Sequence, residues 1–333
     1  MKRLMGIVLV VVGVVILFSM VRGGGPLDGL GLGSAVDISK SQNAAEAERL
    51  RINAGSADIE LIPVDGEEVR VHLYGRQRGF AVGTSSPDVT LRERGGAIEV
   101  QVQQQSGFGF SFTNLNLTVE VPRRQWQELA ASAGSGDLNA SEVSASLLRL
   151  NTGSGDIELD NIQADTGDLE AGSGDVEGYQ IQAEKLIAKT GSGSIELDGI
   201  YGGDVSLRTG SGSIQVENYE LRQLTVDSGS GSIELQDGTA QVNGRAGSGS
   251  IEMEVDELIQ DTKLETGSGS VTVELAHEPQ SLEVRYDGGS GRGRIHWDSF
   301  VQDGDDRKRI RGAFGNGDVL LEVRTGSGSF TLD

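Results

Sequence analysis

From about Arg51 onward, apolar and polar residues alternate along the chain, as in Val69-Arg70-Val71-His72-Leu73, Leu117-Thr118-Val119-Glu120-Val121 and Ile157-Glu158-Leu159. A two-residue period puts successive side chains on opposite faces, so this pattern predicts half-buried β-strands. The strands are punctuated by Gly-Ser-Gly triplets that begin at Gly134, Gly153, Gly172, Gly191, Gly210, Gly229, Gly247 and Gly267, spaced by 19 residues except for a final 18 and 20. A period this constant predicts a repeat architecture. After each triplet and its Asp or Ser comes an aliphatic residue (Leu138, Ile157, Val176, Ile195), and most copies place a second two residues later (Leu159, Leu197, Val216). These columns are expected to point inward and stack. The fold predicted is all-β, a single-stranded β-helix or β-solenoid of ~19-residue coils. At a strand separation of about 4.8 Å the eight regular coils make a rod about 40 Å long.

Two other architectures fit less well. An antiparallel meander of hairpins would favour two-residue Asn-Gly or Asp-Gly turns between the repeats, and a hexapeptide helix would show a six-residue sub-period. The triplet glycines suit tight bends, since Gly accepts positive φ and close backbone approach. Looser copies stand at Gly55-Ser56-Ala57-Asp58-Ile59, at Gly289, at Gly315-Asn316-Gly317 and at Gly326-Ser327-Gly328-Ser329-Phe330. Residues 50–130 are read as irregular N-terminal coils covering one end of the stack, and residues 131–333 as the repeat proper, together one continuous domain. A solenoid needs such an end, because an open edge invites aggregation.

The N-terminus reads differently. Lys2 and Arg3 precede an uncharged, Val/Ile/Leu-rich stretch from Leu4 to Val21, followed by Arg22 and Gly23-Gly24-Gly25-Pro26. That length nearly spans a bilayer. Residues 1–22 are therefore expected to form a signal anchor, one transmembrane helix through residues 4–21. The flanking charges place its short tail in the cytoplasm and the bulk of the chain outside the membrane. Cleavage as a signal peptide, giving a secreted protein, is the alternative, although no Ala-x-Ala site follows and Val21-Arg22-Gly23 is a weak candidate. Residues 23–49 read as a flexible linker.

Charge narrows the partners. Lys and Arg total 28 against 50 Asp and Glu, a formal charge of −22, which repels nucleic acid. Most of the excess lies between Gly134 and Leu275, where 26 acidic residues face 7 basic ones. There is no cysteine, which removes disulfides, thiol catalysis and a lipidated cysteine anchor together.

Few residues invite chemistry. Asp137, Asp156 and Asp175 follow successive triplets, and stacked carboxylates about 5 Å apart raise one another's pKa unless a cation or donor intervenes. They form a candidate Ca²⁺ column, or else cap turn amides. The 19-residue period and the switch to Ser at Ser194 and beyond depart from calcium-binding nonapeptide rolls; no other cofactor is expected. The histidines His72, His277 and His296 share no spacing, and no phosphate-loop context occurs. A β-helix polysaccharide-active enzyme would need converging acids and aromatic platforms, and Trp126, Trp297 and the tyrosines share no repeat offset. No catalytic residue is assigned. Two segments are candidate partner contacts: Phe108, Phe110 and Phe112, which alternate with small residues along one strand face, and Arg307, Lys308, Arg309 and Arg311, a basic cluster in an acidic protein.

The run Gly55-Ser56-Ala57-Asp58-Ile59-Glu60-Leu61, then Val119-Glu120-Val121-Pro122, then the Thr/Ala-Gly-Ser-Gly-Asp/Ser-Ile/Val copies, resembles the bacterial DUF4097 family, which is grouped with candidate adhesins. The resemblance spans about residues 50–333. It implies a β-helix-like domain on the envelope side of an anchor, without known enzyme activity. The expected function is a membrane-anchored, extracytoplasmic, non-enzymatic binding, adhesion or structural module, its partner a cell-wall polymer, a cell-surface protein or an envelope protein. Family members also occur beside envelope-stress systems, so a regulatory component of that response is the alternative.

Overall fold

A computed structural model describes residues 34–82, 87–103 and 108–333. Every regular element in them is a strand, and all the strands join one continuous hydrogen-bonded system. The anchor expected over residues 4–21 lies outside the described residues, within which no helix is long and apolar enough to cross a membrane.

The regular coils explain why a 19-residue repeat closes on itself. Strands β1 to β10 are Ser34–Asn43, Arg49–Asn53, Asp58–Val64, Glu68–Val82, Asp88–Arg94, Ala97–Gln103, Phe108–Pro122, Gln125–Ala133, Leu138–Ser141 and Ser144–Thr152. The four strands that follow, β11 (Ile157–Ala171), β12 (Val176–Thr190), β13 (Ile195–Thr209) and β14 (Ile214–Ser228), are parallel and in register, Ile157 on Val176 on Ile195 on Ile214. Within β11 the buried positions run Ile157, Leu159, Ile162, Ala164, Gly167, Leu169, Ala171. The alternation slips by one residue at Asn161 and again at Asp165, where the pairing to β12 is also interrupted. Each slip turns a corner while keeping apolar side chains inside, because a one-residue phase shift exchanges the two faces of a strand. The third corner is the Gly-Ser-Gly turn. A coil therefore has a first face (157–160), a second (162–164) and a third (166–171).

The corners use different chemistry. At the Asn161 corner the equivalent residues Glu142, Asn161, Gln180, Asn218 and Asp237 all have φ of 50 to 54°, with Gly199 at 74°. None of the regular triplet glycines has positive φ; close approach alone explains them. A Cβ on Gly193 would overlap the carbonyl oxygen of Gly174 in the preceding coil, and Gly155, Gly174, Gly212 and Gly231 meet the same obstacle. The small residue before the triplet is a hydrogen-bonding post. The buried Thr190 hydroxyl donates to Gly174 O of the preceding coil (2.7 Å) and accepts from its own Gly193 N (3.2 Å), and Thr209 does the same one coil on.

The remaining strands are β15 (Ile233–Gln236), β16 (Thr239–Ala246), β17 (Ile251–Val255), β18 (Thr262–Thr266), β19 (Val271–Leu275), β20 (Leu282–Gly288), β21 (Gly293–Ile295), β22 (Val301–Gln302), β23 (Arg309–Phe314), β24 (Val319–Thr325) and β25 (Phe330–Leu332). Chain order and stacking order part company at both ends. β24 lies between β18 and β20, and β25 between β19 and β21, so the coil of residues 319–332 is slotted beneath one that precedes it. Gly326, not Gly289, rests on Gly267. At the other end β2 and β3 sit between β6 and β7 on one side and β8 and β9 on the other. The loose copy at Gly55 is thus the coil directly next to Gly134. Both ends finish in antiparallel pairs, β1 with β4 and β5 with β6, and β23 with β20 and β22. Sequence favoured no hairpins in the repeats, and they occur here instead, where they end the parallel stack. Lys40, at an inward register position of edge strand β1, bonds Asp88 and the Val89 carbonyl of β5, a charge that opposes further strand addition.

Candidate binding face

The outward positions of the first face lie one and three residues beyond the first aliphatic column. From Asn139 to Glu274 they include Glu158, Asp160, Glu177, Glu196, Asp198, Glu217, Glu234, Glu252, Glu254 and Glu274, with no Lys or Arg among them. None of these ten carboxylates has an ion-pair partner among the described residues; Asp198, Glu217 and Glu234 take hydrogen bonds from Asn218, Gln215 and Gln236. The third face is built the opposite way. One of its columns reads Glu170, Lys189, Arg208, Asp227, Arg245, Glu265, Arg324, Asp287. Arg208 meets Asp227 at 3.6 Å, and Glu265 is held by Arg245 (2.9 Å), Lys263 (2.9 Å) and Arg324 (3.3 Å).

Glu177 on the first face and Glu265 on the third shift in opposite directions. Partial burial pushes the Glu177 carboxyl above the ordinary glutamate value, helped by stacked Glu196 and Glu158 and by Asp175 and Asp156. The Lys263 hydrogen bond holds Glu265 below that value against partial burial, with Arg245 adding to it.

Gly178 interrupts the inner leucine column between Leu159 and Leu197. Around it the first face opens into a groove of about 390 Å³, lined by Glu158, Asp160, Glu177, Glu196, Asp198 and the ring of Tyr179. Tyr179 is 52% exposed and stands in its column between Asp160 and Asp198. Asn139 Oδ1, in the same groove, is buried without a hydrogen-bond partner among the described residues. An exposed phenol ring flanked by carboxylates can take a cation by charge and by the ring face together.

The residues singled out from sequence fall elsewhere. Asp137, Asp156 and Asp175 stack beside the glycine corner, and each Oδ1 accepts the backbone N–H at the same position one coil on: Asp156, Asp175 and Ser194 in turn (2.9, 2.8 and 2.7 Å). Ser194 Oγ continues this ladder to Ser213 N (3.3 Å), so Asp and Ser share one job. The described residues contain no cluster of His, Cys, Asp or Glu arranged for a metal ion. Arg309 and Arg311 pair with Asp287 of β20 (3.4 and 3.0 Å), while Arg307 and Lys308 are exposed in the loop before β23. Phe108, Phe110 and Phe112 lie on β7 beyond the coils. His72 binds Asp37 (2.9 Å) and His296 meets Asp333, neither near the groove. The first face could have been found by aligning the repeats on their aliphatic column; reading charge as a total concealed that it is sorted by face.

The sequence profile of the Toastrack DUF4097 family matches residues 47–186 and 173–333. The chain belongs to the Toastrack DUF4097 family. Among solved structures, this Toastrack chain is similar to a candidate lipid-binding protein from Parabacteroides distasonis (14% identity, TM-score 0.45, covering 91% of this chain and 97% of that one). It is also similar to a candidate adhesin from the same species (10%, 0.45, 90% and 97%) and to another from Bacteroides fragilis (12%, 0.40, 90% and 97%). No curated protein matches it.

Proposed function

We propose that this Toastrack protein is a non-enzymatic binding module of the cell envelope, tethered through residues 4–21 with its bulk outside the membrane, and that the first face takes a cationic partner. The observation that carries the reading is the sorting of charge: ten carboxylates without an ion pair among the described residues on one face, ion-paired opposite charges on another. Unpaired stacked charge repels itself and destabilises a compact fold, so it calls for a use. A basic segment of an envelope protein, or an amine-bearing wall polymer, would relieve that repulsion on docking. Binding of the full chain to polylysine and to purified wall polymer, followed against salt, tests this. Glu158→Gln/Glu177→Gln/Glu196→Gln should weaken binding and flatten its salt dependence, while Asp168→Asn on the third face should leave both unchanged. Equal effects of the two variants would sink the assignment.

A further inference from the structure

Two Asn-Gly pairs occur in the chain, Asn243-Gly244 and Asn316-Gly317. In such a pair the glycine nitrogen can reach the asparagine side-chain carbonyl, because no Cβ on the glycine hinders the approach. The fold treats the two pairs differently. Asn243 and Gly244 lie within β16, which is paired on one side with β14 and on the other with β18, so the Gly244 N–H sits inside a complete ladder. Ring closure there would require Asn243 to leave its extended conformation and the ladder to open. Asn316 and Gly317 instead belong to the turn between β23 and β24. Asn316 is exposed and its carboxamide has no partner among the described residues. The Gly317 N–H makes only a long bond, 3.3 Å, to Phe314 O.

This turn stands where backbone length matters. Leu282 of β20 has Phe314 as its partner on one side and Val319 on the other. Residues 315–318 therefore arch over the start of β20 and carry the chain across two strand spacings, about 10 Å. The arch is tied down closely. The Asp318 N–H donates to Ser281 Oγ (2.9 Å), which in turn donates to Asp318 Oδ2 (2.8 Å), and a Cβ on Gly315 would overlap Gln280 O. It is the covalent entry from β23 into the coil of residues 319–332, which is slotted between β18 and β20 and between β19 and β21. We infer that Asn316 is a self-modification site whose conversion to aspartate and isoaspartate loosens the slotted coil. The Gly317 nitrogen attacks Asn316 Cγ, the new N–Cγ bond replaces the Cγ–Nδ2 bond, and Nδ2 leaves as ammonia with the proton that Gly317 gives up. One water then opens the cyclic imide at either carbonyl. Isoaspartate lengthens the arch by one backbone carbon. Both products place a carboxylate beside Asp318 and near Glu283, against which Gly317 packs, so both strain the tie to Ser281.

The second Asn-Gly pair is a control inside the same molecule. Full chain would be held in warm, mildly alkaline buffer, with and without urea, and sampled over time by peptide mass spectrometry; trypsin releases residues 312–324 and 223–245, with one pair in each. The expected result in the folded chain is the mass gain of an amide turned into an acid at 316, split between two products. Conversion at 243 should lag by a factor on the order of ten or more, because that site reacts only from a locally opened state. Urea should bring the two rates together. Hydrogen exchange of residues 319–325 would then be compared between the converted chain and Asn316→Gln incubated alongside, which keeps a neutral amide and closes the ring far more slowly. Faster exchange in the converted chain is expected. Equal rates at 316 and 243 in the folded chain, or a difference that persists in urea, overturn the assignment of the site to the fold. Conversion at 316 that leaves exchange at 319–325 unchanged overturns the loosening of the coil.

Discussion

Replacing Gly193 by alanine tests the stacking argument at its tightest point. The added methyl would overlap Gly174 O and lie 2.8 Å from Asp175 Oδ1, both in the preceding coil. Backbone oxygens cannot rotate away, so the corner must open by about 1 Å to reach an ordinary contact. Three bonds bridge or brace this corner: Ser194 N to Asp175 Oδ1 (2.7 Å), Thr190 Oγ to Gly174 O (2.7 Å) and Gly193 N to Thr190 Oγ (3.2 Å). At about 1 kcal/mol net each, their loss costs about 3 kcal/mol, a fall in Tm on the order of 5–10 °C. Ser192→Ala, at the exposed middle position of the same triplet, should cost under about 0.5 kcal/mol. Urea and thermal unfolding followed by circular dichroism would compare the two; in a repeat array the damage shows as a lower or divided transition. Ala57 supports the steric view, since it holds the same position in the coil whose other neighbour is the strand pair β6 and β7 rather than another triplet. If Gly193→Ala and Ser192→Ala melt together, coil contact is not what keeps that position glycine.

The ladder beside the corner predicts that Asp156→Ala costs about 1 kcal/mol for a lost amide acceptor, while Asp156→Ser is close to neutral because Ser194 already plays that part; paired urea titrations decide it. Glu177 has a raised folded pKa, so its contribution to stability is fully present below the ordinary glutamate value of 4.5 and lost as pH rises through the folded value. Glu177→Gln should therefore raise Tm at pH 7 and leave it unchanged near pH 3, and a loss of Tm at pH 7 would contradict this. Glu265 runs the other way: its folded pKa is lowered, its contribution is present above 4.5 and fades as pH falls through the folded value, so Glu265→Gln should lower Tm at pH 7 and matter little in acid. At the Asn161 corner, L-residues pay about 1 kcal/mol or more for positive φ. Gln180→Gly should accordingly equal or exceed the parent in stability, with Gln180→Val clearly below it.

Much of this was legible in the chain because a repeat states its own geometry. The aliphatic columns at Ile157 and Leu159 and the small residue before each triplet fixed the coil and its register, since any other alignment would bury Glu158 in place of Leu159. What escaped the sequence is whatever the repeat does not contain. The corner at Asn161 is occupied by Glu, Asn, Gln, Gly, Asn and Asp in turn, whose shared backbone conformation leaves no common side chain to read. The slotted coils escaped because identical triplets at Gly289 and Gly326 carry no mark of which neighbours which. The acidic face was visible as a total and hidden as a pattern, because its carboxylates occupy two columns separated in sequence by whole coils.

The slot filled by residues 319–332 gives the molecule a test of its own completeness. A chain broken off before Val319 still possesses β20 and β21, but they would face β18 and β19 across the width of a missing coil, leaving two rows of parallel-strand amides and carbonyls without partners. Such a fragment cannot be sealed by simple fraying back to the previous coil, as an ordinary solenoid could. It would expose a gap shaped to receive one coil of this repeat, with a strand for each of the two rows, which another copy of the chain also carries.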